Sequence, residues 1–367
     1  MVYVRPRASR AMNNQTENTI CVGIIGAGRI GKRHAENIIR HIPQISLKAI
    51  VDINLDSAWV NALSIAVSGD DVQSIFKDPT IDAVLICSPA PTHVPLIIEA
   101  AAAGKHIFCE KPLALDILAI QQALAAVKQA KVILQVGFNR RFDPNFAKVK
   151  RVVQEGGIGD PHIIHITSRD PEPPPRSYIV SSGGIFLDMS IHDFDMARFL
   201  MGSEITEVYA TGAALIDPTL AQQGDVDTVV IQLTFANGAL GVIDNSRQAV
   251  YGYDQRVEVF GSRGKMLAQN VSATQTELST ADAVTSEKPM HFFLDRYQAS
   301  YLAELRSFCH CIRHHQPASV DGQDGLIPVI IGHAAKRSYQ SHQPVRIDYE
   351  HPERLCDTLS INSSAFR

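Results

Sequence analysis

The chain has 367 residues, of which 45% are hydrophobic and 20% charged, a composition that fits two globular domains and excludes an intrinsically disordered protein. The formal net charge of -4 excludes the dense positive field that attracts nucleic acids or anionic membranes. The apolar runs are far shorter than the roughly 20 residues of a membrane span. We therefore expect soluble partners and no membrane-crossing segment.

Residues 1–19 contain three arginines and no acidic residue before Glu17, a composition that also occurs in transit segments. Pro6 and the weak amphipathicity of the stretch argue against targeting. We expect residues 1–19 to form a flexible extension.

From residue 20 onward, short β-branched segments alternate with amphipathic segments. We predict strands at residues 21–25, 47–51, 83–87, 106–109 and 132–136, and helices at residues 30–41, 92–103 and 117–130, with another helix after residue 56. This alternation is typical of a parallel sheet with helices on both faces. Residues 20–140 are therefore predicted to form a doubly wound α/β domain.

The pattern changes after about residue 150, where longer alternating strands begin. They are predicted at residues 162–168, 229–235, 240–245 and 256–260, with helices near residues 186–200 and 295–315. Asn237-Gly238 separates two of these strands and favours a hairpin turn, because both residues tolerate positive φ. Residues 141–350 are predicted to form an α+β domain with a large, mostly antiparallel open sheet, followed by a tail at residues 351–367.

The six cysteines are scattered, and several lie in apolar stretches, where cysteine behaves as a small hydrophobic residue. This usage favours a reducing compartment, and we expect a cytoplasmic protein. One group near a predicted helix end resembles a metal site: Cys309, His310, Cys311, His314 and His315. On a helix the two cysteines point apart, so a plain helix end is favoured and no metal is predicted.

A glycine-rich turn lies between the first predicted strand and helix. It matches G-x-G-x-x-G and consists of Gly26, Ala27, Gly28, Arg29, Ile30 and Gly31. Such glycines let a pyrophosphate approach the N–H groups of the helix start. Asp52 follows about 20 residues later, where an acid hydrogen-bonds the ribose of NAD and would repel the 2′-phosphate of NADP. We predict a Rossmann domain that binds NAD, and the alternative is a turn that only packs helix on strand.

Ser88, Pro89, Thr92 and His93 follow the predicted strand at residues 83–87. They lie at the carboxyl edge of the sheet, where ligands bind in doubly wound folds, so we expect them to contact the cofactor. Helix capping is the alternative role of Thr92.

Glu110, Lys111 and Pro112 follow the strand at residues 106–109 and reach the same edge of the sheet. Oxidation of an alcohol needs a hydride acceptor, a base near the hydroxyl and positive charge near the developing alkoxide. Lys111 is the predicted source of that charge, and a solvated surface lysine is the alternative.

Asp188, His192 and Asp195 are spaced at i, i+4 and i+7 in a predicted helix, which places them on one face. A carboxylate beside an imidazole orients the ring and raises its basicity. We therefore predict that Lys111, Asp188 and His192 are the catalytic residues. The alternatives are a histidine at a structural helix end and an Asp-His-Asp metal cluster.

Three longer stretches extend these motifs, namely residues 137–144 (GFNRRFDP), 183–200 and 244–254 (DNSRQAVYGYD). With Glu110-Lys111-Pro112 and the spacing of Asp188 and His192, they resemble the glucose-fructose oxidoreductase, inositol dehydrogenase and MocA family. Within that family the chain looks most like the inositol dehydrogenase branch. The resemblance covers the chain from residue 20 to about residue 349, and the extension and the tail depart from it.

The resemblance implies that His192 is the general base, that Asp188 takes part in proton relay and binds ring hydroxyls, and that Lys111 contacts substrate and cofactor. It also implies cofactor contacts of Glu110 and Arg140. Further residues are then expected to line a polyol pocket: Arg140, Asp170, Asp195, Tyr251 and Tyr297.

The activity that the resemblance implies is reversible oxidation of myo-inositol to an inosose, with NAD as hydride acceptor. A scyllo-inositol, sugar or amino-cyclitol dehydrogenase is the nearest alternative, because one inverted hydroxyl requires few changes in the pocket. A regulator that binds NAD without turnover is the alternative from another class, and the intact Lys111, Asp188 and His192 argue against it. The resemblance also implies a homotetramer formed through the open faces of the C-terminal sheets.

Overall fold

The computed structural model describes residues 19–355. Nearly all of the predicted N-terminal extension and most of the predicted tail, including Cys356, lie outside the described residues. Within residues 19–355, none of the helices has both the length and the apolar character that crossing a membrane demands.

The N-terminal half of the chain folds around a six-stranded parallel sheet with the order β3-β2-β1-β4-β5-β6. Its elements in chain order are β1 (Ile20–Ile25), α1 (Arg29–His41), β2 (Ile45–Val51), α2 (Ser57–Leu63), β3 (Val67–Gly69), α3 (Gln73–Phe76), β4 (Ala83–Ile86), α4 (His93–Ala102), β5 (His106–Glu110), α5 (Ile117–Ala130) and β6 (Leu134–Gly137). The order reverses between β1 and β4, which opens a crevice at the carboxyl ends of these strands. The predicted doubly wound domain is confirmed.

The C-terminal half contains a seven-stranded sheet with the order β12-β11-β7-β10-β9-β8-β15. Its elements are α6 (Pro144–Gln154), β7 (Pro161–Arg169), α7 (Arg176–Ser181), α8 (Ile185–Asp188), α9 (Ser190–Met201), β8 (Ile205–Ala213), β9 (Thr228–Phe235), β10 (Leu240–Ser246), β11 (Asp254–Gly261), β12 (Gly264–Ala268), β13 (Glu277–Ser279), β14 (Val284–Ser286), α10 (Phe293–Arg296), α11 (Gln298–His314), α12 (Gly322–Ser341) and β15 (Val345–Arg346). Neighbouring strands of the large sheet are antiparallel except β7 and β10, which run parallel. The predicted mostly antiparallel sheet is therefore confirmed.

The hairpin predicted at Asn237-Gly238 joins β9 to β10. Gly238 has a φ of +85°, and its N–H donates to the carbonyl of Phe235. The Asn237 side chain accepts from the N–H of Ala239 at 3.1 Å. The turn residues thus fix the antiparallel register of the two longest hairpin-linked strands of the sheet.

Three helices, α6, α9 and α12, pack on one face of the large sheet. The longest, α12, has 20 residues and begins with a reciprocal cap between Asp321 and Asp324. Its sequence contains Pro328 and several glycines, which lower helix propensity and explain why periodicity did not predict it.

The helix predicted at residues 186–200 is divided at Met189 into α8 and α9. Met189 closes α8 and caps α9 with a φ of -94° and a ψ of -59°. Met189 itself has helical dihedral angles, and the interruption lies in the hydrogen bonding: the N–H of His192 donates to the carbonyl of Met189 at 3.2 Å, while the carbonyl of Asp188 accepts from Lys111.

The helix predicted at residues 295–315 is mainly α11, which packs on the first domain rather than on the large sheet. The Cys309 thiol faces the carbonyl of Gln44 at 3.8 Å, and the Cys311 thiol faces the carbonyl of Pro317 at 3.1 Å. The two thiols thus point to different backbone segments, as expected for a plain helix.

The face of the large sheet opposite α9 and α12 carries exposed apolar side chains on neighbouring strands. These residues are Ile163, Val230, Leu240, Phe260 and Leu267. Large apolar side chains on one open sheet face are typical of a surface that packs against another protein surface.

Candidate active site

The glycine-rich turn leads from β1 into α1 and leaves the start of the helix open. Gly26 has a φ of +97°, and a Cβ there would lie only 2.5 Å from the nitrogen of Ser88. Within residues 19–355, a Cβ on Gly28 would meet no atom within 4 Å, and no side chain caps α1. The free N–H groups and the open space beside Gly28 fit the pyrophosphate of a dinucleotide.

Asp52 lies directly after β2 and beside the glycine-rich turn. One carboxylate oxygen accepts from the N–H of Ala27 at 2.6 Å, and the other accepts from the N–H of Asn54 at 2.7 Å. These bonds hold a partly exposed negative charge at the edge of the crevice. A ribose hydroxyl can donate to such a carboxylate, whereas a ribose phosphate is repelled.

In the segment after β4, the hydroxyls of Ser88 and Thr92 lie at the crevice, whereas the His93 ring is buried. The Ser88 and Thr92 hydroxyls lie 2.6 Å apart, and Thr92 also donates to the carbonyl of Pro89. The buried His93 ring lies between the carbonyls of Ser88 and Pro112, at 2.7 and 2.8 Å. Ser88 and Thr92 therefore stand at the crevice, but the predicted cofactor contact of His93 does not agree with its buried bridging position.

Glu110 turns its carboxylate toward α1. Its Oε1 lies 2.7 Å from Nε2 of His34, and Oε1 of Glu304 on α11 lies 4.0 Å from the same nitrogen. The 2.7 Å spacing is that of a hydrogen bond, since two ligands on one small metal ion lie about 3 Å apart or more. One oxygen of Glu110 thus binds His34, and the cofactor contact of Glu110 stays a prediction.

Glu304 is fully buried, and neither of its carboxylate oxygens has a hydrogen-bond partner among residues 19–355. Burial, together with the nearby charge of Glu110, raises the pKa of Glu304 far above its ordinary value. Burial and the neighbouring carboxylate therefore favour the protonated form of Glu304 over the ionised form.

Lys111 lies in the loop after β5 and reaches across to the second domain. Its Nζ donates to the carbonyl of Asp188 at 3.1 Å and lies 3.5 Å from Oδ1 of the Asp188 carboxylate. The Lys111 side chain is 17% exposed, so its charge is shielded from water but reachable from the crevice. The structure thus brings together the two residues that the motifs singled out separately.

The Asp188 carboxylate is held by donors from three parts of the chain. Tyr178 on α7 donates to Oδ1 at 2.9 Å, Arg247 donates to Oδ2 at 3.2 Å, and Lys111 completes the set. Burial opposes ionisation, but the charges of Lys111 and Arg247 outweigh it and lower the pKa of Asp188. Asp188 is therefore ionised at neutral pH.

The predicted pairing of Asp188 with His192 is absent. Within the described residues no hydrogen bond joins the two side chains, and Nδ1 of His192 is buried without a partner. Tyr178, Arg247 and Lys111 bind the Asp188 carboxylate instead.

His192 is partly exposed, and the ring of Phe138 packs against it edge-on, with the ring centroids 6.0 Å apart. Burial lowers the pKa of His192 far below its ordinary value, and the charges of Lys111 and Arg140 lower it further. His192 is therefore a neutral imidazole at neutral pH, and a neutral imidazole can accept a proton.

Asp170 follows β7 and is partly exposed. Burial raises its pKa to about 6, and the charge of Asp188 adds to the effect, while Arg247, Arg140 and Lys111 oppose it. The structure thus places Asp170 in the same charged cluster as Lys111 and Asp188, as the predicted pocket requires.

Asp195 does not join this cluster, so its predicted place in the pocket is wrong. Its carboxylate accepts three hydrogen bonds from the Arg141 guanidinium, at 2.6 to 3.0 Å. Arg141 also donates to Asp324 at the start of α12. Asp195 is fully buried and belongs to an ion-pair network that joins α9 to α12.

Arg140 pairs with a carboxylate that the sequence analysis did not single out. It donates to Asp193 at 2.7 Å and to the Tyr253 hydroxyl at 3.3 Å. Asn245 donates to the other oxygen of Asp193 at 2.8 Å. Arg140 is thus a buried cation whose charge contributes to the lowered pKa of His192.

The two predicted tyrosines have different positions. Tyr297 is buried beside Arg140, whose guanidinium carbon lies 5.9 Å from the ring centroid. Tyr251 is 39% exposed, and its hydroxyl donates to Asp254 at 2.6 Å. Gly252 lies between Tyr251 and Tyr253 and has a φ of +133°. The chain therefore does not continue as a regular strand there, and Tyr253 rather than Tyr251 contacts Arg140.

Sequence reasoning missed Tyr178, Asp193, Arg247 and Tyr253. Arg247 and Tyr253 lie in the stretch at residues 244–254 that carried the family resemblance, and their burial was the missing information. Tyr178 lies after a proline-rich loop that gave no periodic signal.

Together these residues combine a dinucleotide-binding turn with a neutral base, a shielded lysine and two carboxylates. A base and a nearby cation are the requirements for removing the proton of a hydroxyl while its carbon loses hydride. Carboxylates and lysine supply acceptors and a donor for neighbouring hydroxyls.

Comparisons with known proteins agree with this architecture. Residues 20–138 match the family model described as "Oxidoreductase family, NAD-binding Rossmann fold", and residues 146–267 match the "GFO/IDH/MocA C-terminal domain". The chain is 54% identical to the uncharacterized oxidoreductase YrbE of Bacillus subtilis, over 92% of this chain and 98% of that protein. It is 48% identical to myo-inositol 2-dehydrogenase of Thermotoga maritima, over 89% of this chain and 98% of that protein.

Among solved structures, the chain resembles scyllo-inositol dehydrogenase of Lactobacillus casei, which was crystallised with bound NAD(H) and scyllo-inositol. The TM-score is 0.82 at 30% sequence identity, covering 89% of this chain and 99% of that one. From the two family models and these full-length relatives, the chain belongs to the GFO/IDH/MocA oxidoreductase family, with an N-terminal NAD-binding Rossmann domain.

Proposed function

We propose that this protein oxidises a cyclic polyol to the corresponding ketone with NAD, and that myo-inositol, which yields an inosose, is its main substrate. The observation that carries the proposal is the cluster of neutral His192, shielded Lys111 and the carboxylates of Asp170 and Asp188. The 48% identity to a myo-inositol 2-dehydrogenase over nearly the whole chain supports the choice of substrate.

In this proposal His192 accepts the hydroxyl proton at the ring nitrogen that is not buried. Lys111 lies beside the substrate oxygen and stabilises its developing negative charge. Asp170 and Asp188 accept hydrogen bonds from neighbouring hydroxyls, so a substrate with several hydroxyls is held more tightly than a simple alcohol. Bound NAD supplies the hydride acceptor, and the residues of the glycine-rich turn with Asp52 would hold it.

The test is a comparison of steady-state rates with NAD on myo-inositol, scyllo-inositol and glucose. We expect the highest kcat/KM on myo-inositol. A higher value on scyllo-inositol would favour the second candidate, which the likeness to the scyllo-inositol dehydrogenase structure supports. No turnover of either inositol would refute the proposed substrate class.

A His192→Ala variant separates an enzyme from a regulator that only binds NAD. We expect kcat to fall by about 10²- to 10⁴-fold, while the affinity for NAD, measured by fluorescence titration, stays within twofold of the parent value. An unchanged rate would remove His192 from the mechanism.

We also propose that the protein is a cytoplasmic homotetramer. The exposed apolar face of the large sheet supports assembly through that face. Among residues 19–355, Cys21, Cys87, Cys109 and Cys311 are free thiols, which supports a reducing compartment. Light scattering in solution tests the assembly, and replacing Leu240 with Lys on the open face should reduce the measured mass.

A further inference from the structure

Arg247 is a buried cation that neither the catalytic motifs nor the proposed mechanism uses. It follows β10 and is 1% exposed. Nη1 donates to Oδ2 of Asp188 at 3.2 Å, whereas Nε and Nη2 are buried without a partner among residues 19–355. A buried guanidinium with open donors is costly, so its charge needs a compensating group nearby.

The backbone holds Arg247 next to Asp170. The N–H of Asp170 donates to the carbonyl of Ser246 at 2.9 Å, and the N–H of Ala249 donates to the carbonyl of Asp170 at 2.6 Å. These bonds lie on either side of Arg247 in sequence. Asp170 and Arg247 are therefore fixed on paired segments at the same end of the large sheet.

The charges around Asp170 come from several elements. Lys111 follows β5, Arg140 follows β6, Asp188 ends α8, and Tyr178 lies on α7, with Tyr253 just before β11. Lys111 and Arg140 form their ion pairs with carboxylates other than Asp170. Lys111 pairs with Asp188, and Arg140 pairs with Asp193.

That leaves Arg247 as the strongest favourable charge on Asp170, while Asp188 repels it. Two neighbouring carboxylates in a site that is largely shielded from water do not both ionise unless a cation such as Arg247 lies nearby.

We propose that Arg247 is a positioning residue for the reaction, which keeps Asp170 and Asp188 ionised together and turns the Asp188 carboxylate away from His192. This inference rests on the proposed function, because its purpose is to keep two hydrogen-bond acceptors available to the polyol. An ionised carboxylate accepts at both oxygens, whereas a protonated one gives up part of that capacity to its own proton.

The pH profile of kcat/KM for myo-inositol tests the proposal. In the parent enzyme we expect an acid limb near pH 6, set by Asp170. In Arg247→Met the limb should move up by about one pH unit or more, since one pKa unit corresponds to a tenfold change in the ratio of protonated to ionised carboxyl. At pH 7 KM should rise by about twofold for a shift of one pH unit and by about tenfold for a shift of two, it should recover at higher pH, and Arg247→Lys should restore most of the parent profile.

Two controls separate electrostatics from folding. Arg198→Met removes another largely buried guanidinium, which pairs with Glu204 and Asp324 and is not among the charges that act on Asp170 or Asp188, and it should leave the acid limb in place. Asp170→Asn should abolish the acid limb. The double variant with Arg247→Met should have the same pH profile as Asp170→Asn alone. A limb that stays unmoved in Arg247→Met, with normal circular dichroism and NAD affinity, would overturn the proposal.

An infrared titration without substrate keeps this test independent of the proposed activity. The C=O stretch of a protonated carboxyl that is absent in Asp170→Asn reports Asp170 directly. We expect the pH midpoint of this band to rise in Arg247→Met and to return to the parent value in Arg247→Lys. If Arg247→Met does not fold, Arg247→Gln, which also lacks the charge but keeps a hydrogen-bond donor, takes its place. A midpoint that rises in the uncharged variant and returns in Arg247→Lys, with no turnover of inositol, would refute the substrate and leave the role of Arg247 standing. A midpoint that stays at the parent value in the uncharged variant would refute that role.

Discussion

Nζ of Lys111 lies 3.1 Å from the carbonyl oxygen of Asp188, although the two residues are 77 positions apart in the chain. One residue belongs to the edge of the nucleotide-binding sheet, and the other belongs to a helix that packs near the large sheet. The contact therefore places the cation of the candidate site at the junction of the two halves of the protein.

Replacing Lys111 with Met should remove the positive charge beside the reacting oxygen. We expect kcat/KM for myo-inositol to fall by about 10²- to 10³-fold, the usual loss for one stabilising donor at a developing oxyanion. The affinity for NAD, measured by fluorescence, should change much less than the rate. An equal loss in NAD affinity and in rate would assign Lys111 to cofactor binding alone.

The Asp195 carboxylate should matter for stability and not for the substrate. Asp195→Asn breaks a buried pair with Arg141 and should cost about 3–5 kcal/mol of unfolding free energy, measured by urea denaturation. KM for myo-inositol at low temperature should stay within about twofold, since Asp195 faces α12. A large rise in KM with unchanged stability would restore Asp195 to the pocket.

Glu304→Gln should be tolerated, because the amide resembles the neutral acid in shape and charge. The pKa of Glu304 is raised on folding, so the parent loses stability as pH rises from the unfolded pKa of Glu304 toward its folded value. We expect equal or greater unfolding free energy for the variant at pH 9 and a flatter dependence between pH 6 and pH 9. Lower stability of the variant at pH 9 would contradict a neutral Glu304.

Asp52→Ser should relax the preference for NAD. Without the carboxylate, a 2′-phosphate no longer meets a fixed negative charge beside Ala27. We expect the ratio of kcat/KM with NADP to that with NAD to rise by about tenfold, equivalent to about 1.4 kcal/mol. A second variant, Asp56→Ser, removes a nearby exposed acid that caps α2 and should leave the ratio unchanged.

The N-terminal domain was predictable because its signals are local. The turn at Gly26 to Gly31, the acid at Asp52 and the alternation of strands and helices depend on residues close in sequence. The large sheet was recognised from strand periodicity and from Asn237-Gly238. The short β3 and α3 were missed because they contain too few residues to show a period.

The candidate site was only partly predictable, because its decisive contacts join distant residues. Asp188 and Lys111 were identified from motifs, but the contact of Asp188 with Arg247 joins residues that are 59 positions apart, and local spacing does not reveal it. Asp195 and Asp193 differ by two positions and look alike in sequence. Only the packing of α9 shows that Asp195 faces Arg141 while Asp193 faces Arg140.

The hydrogen bond between His34 and Glu110 has a consequence for redesign of the enzyme. His34 belongs to the helix that starts at the dinucleotide turn, and Glu110 directly precedes Lys111. A graft that replaces α1 by a helix with another residue at position 34 would lose this hydrogen bond directly beside Lys111. A chimera that exchanges α1 therefore has to treat residues 34, 110 and 304 as one unit.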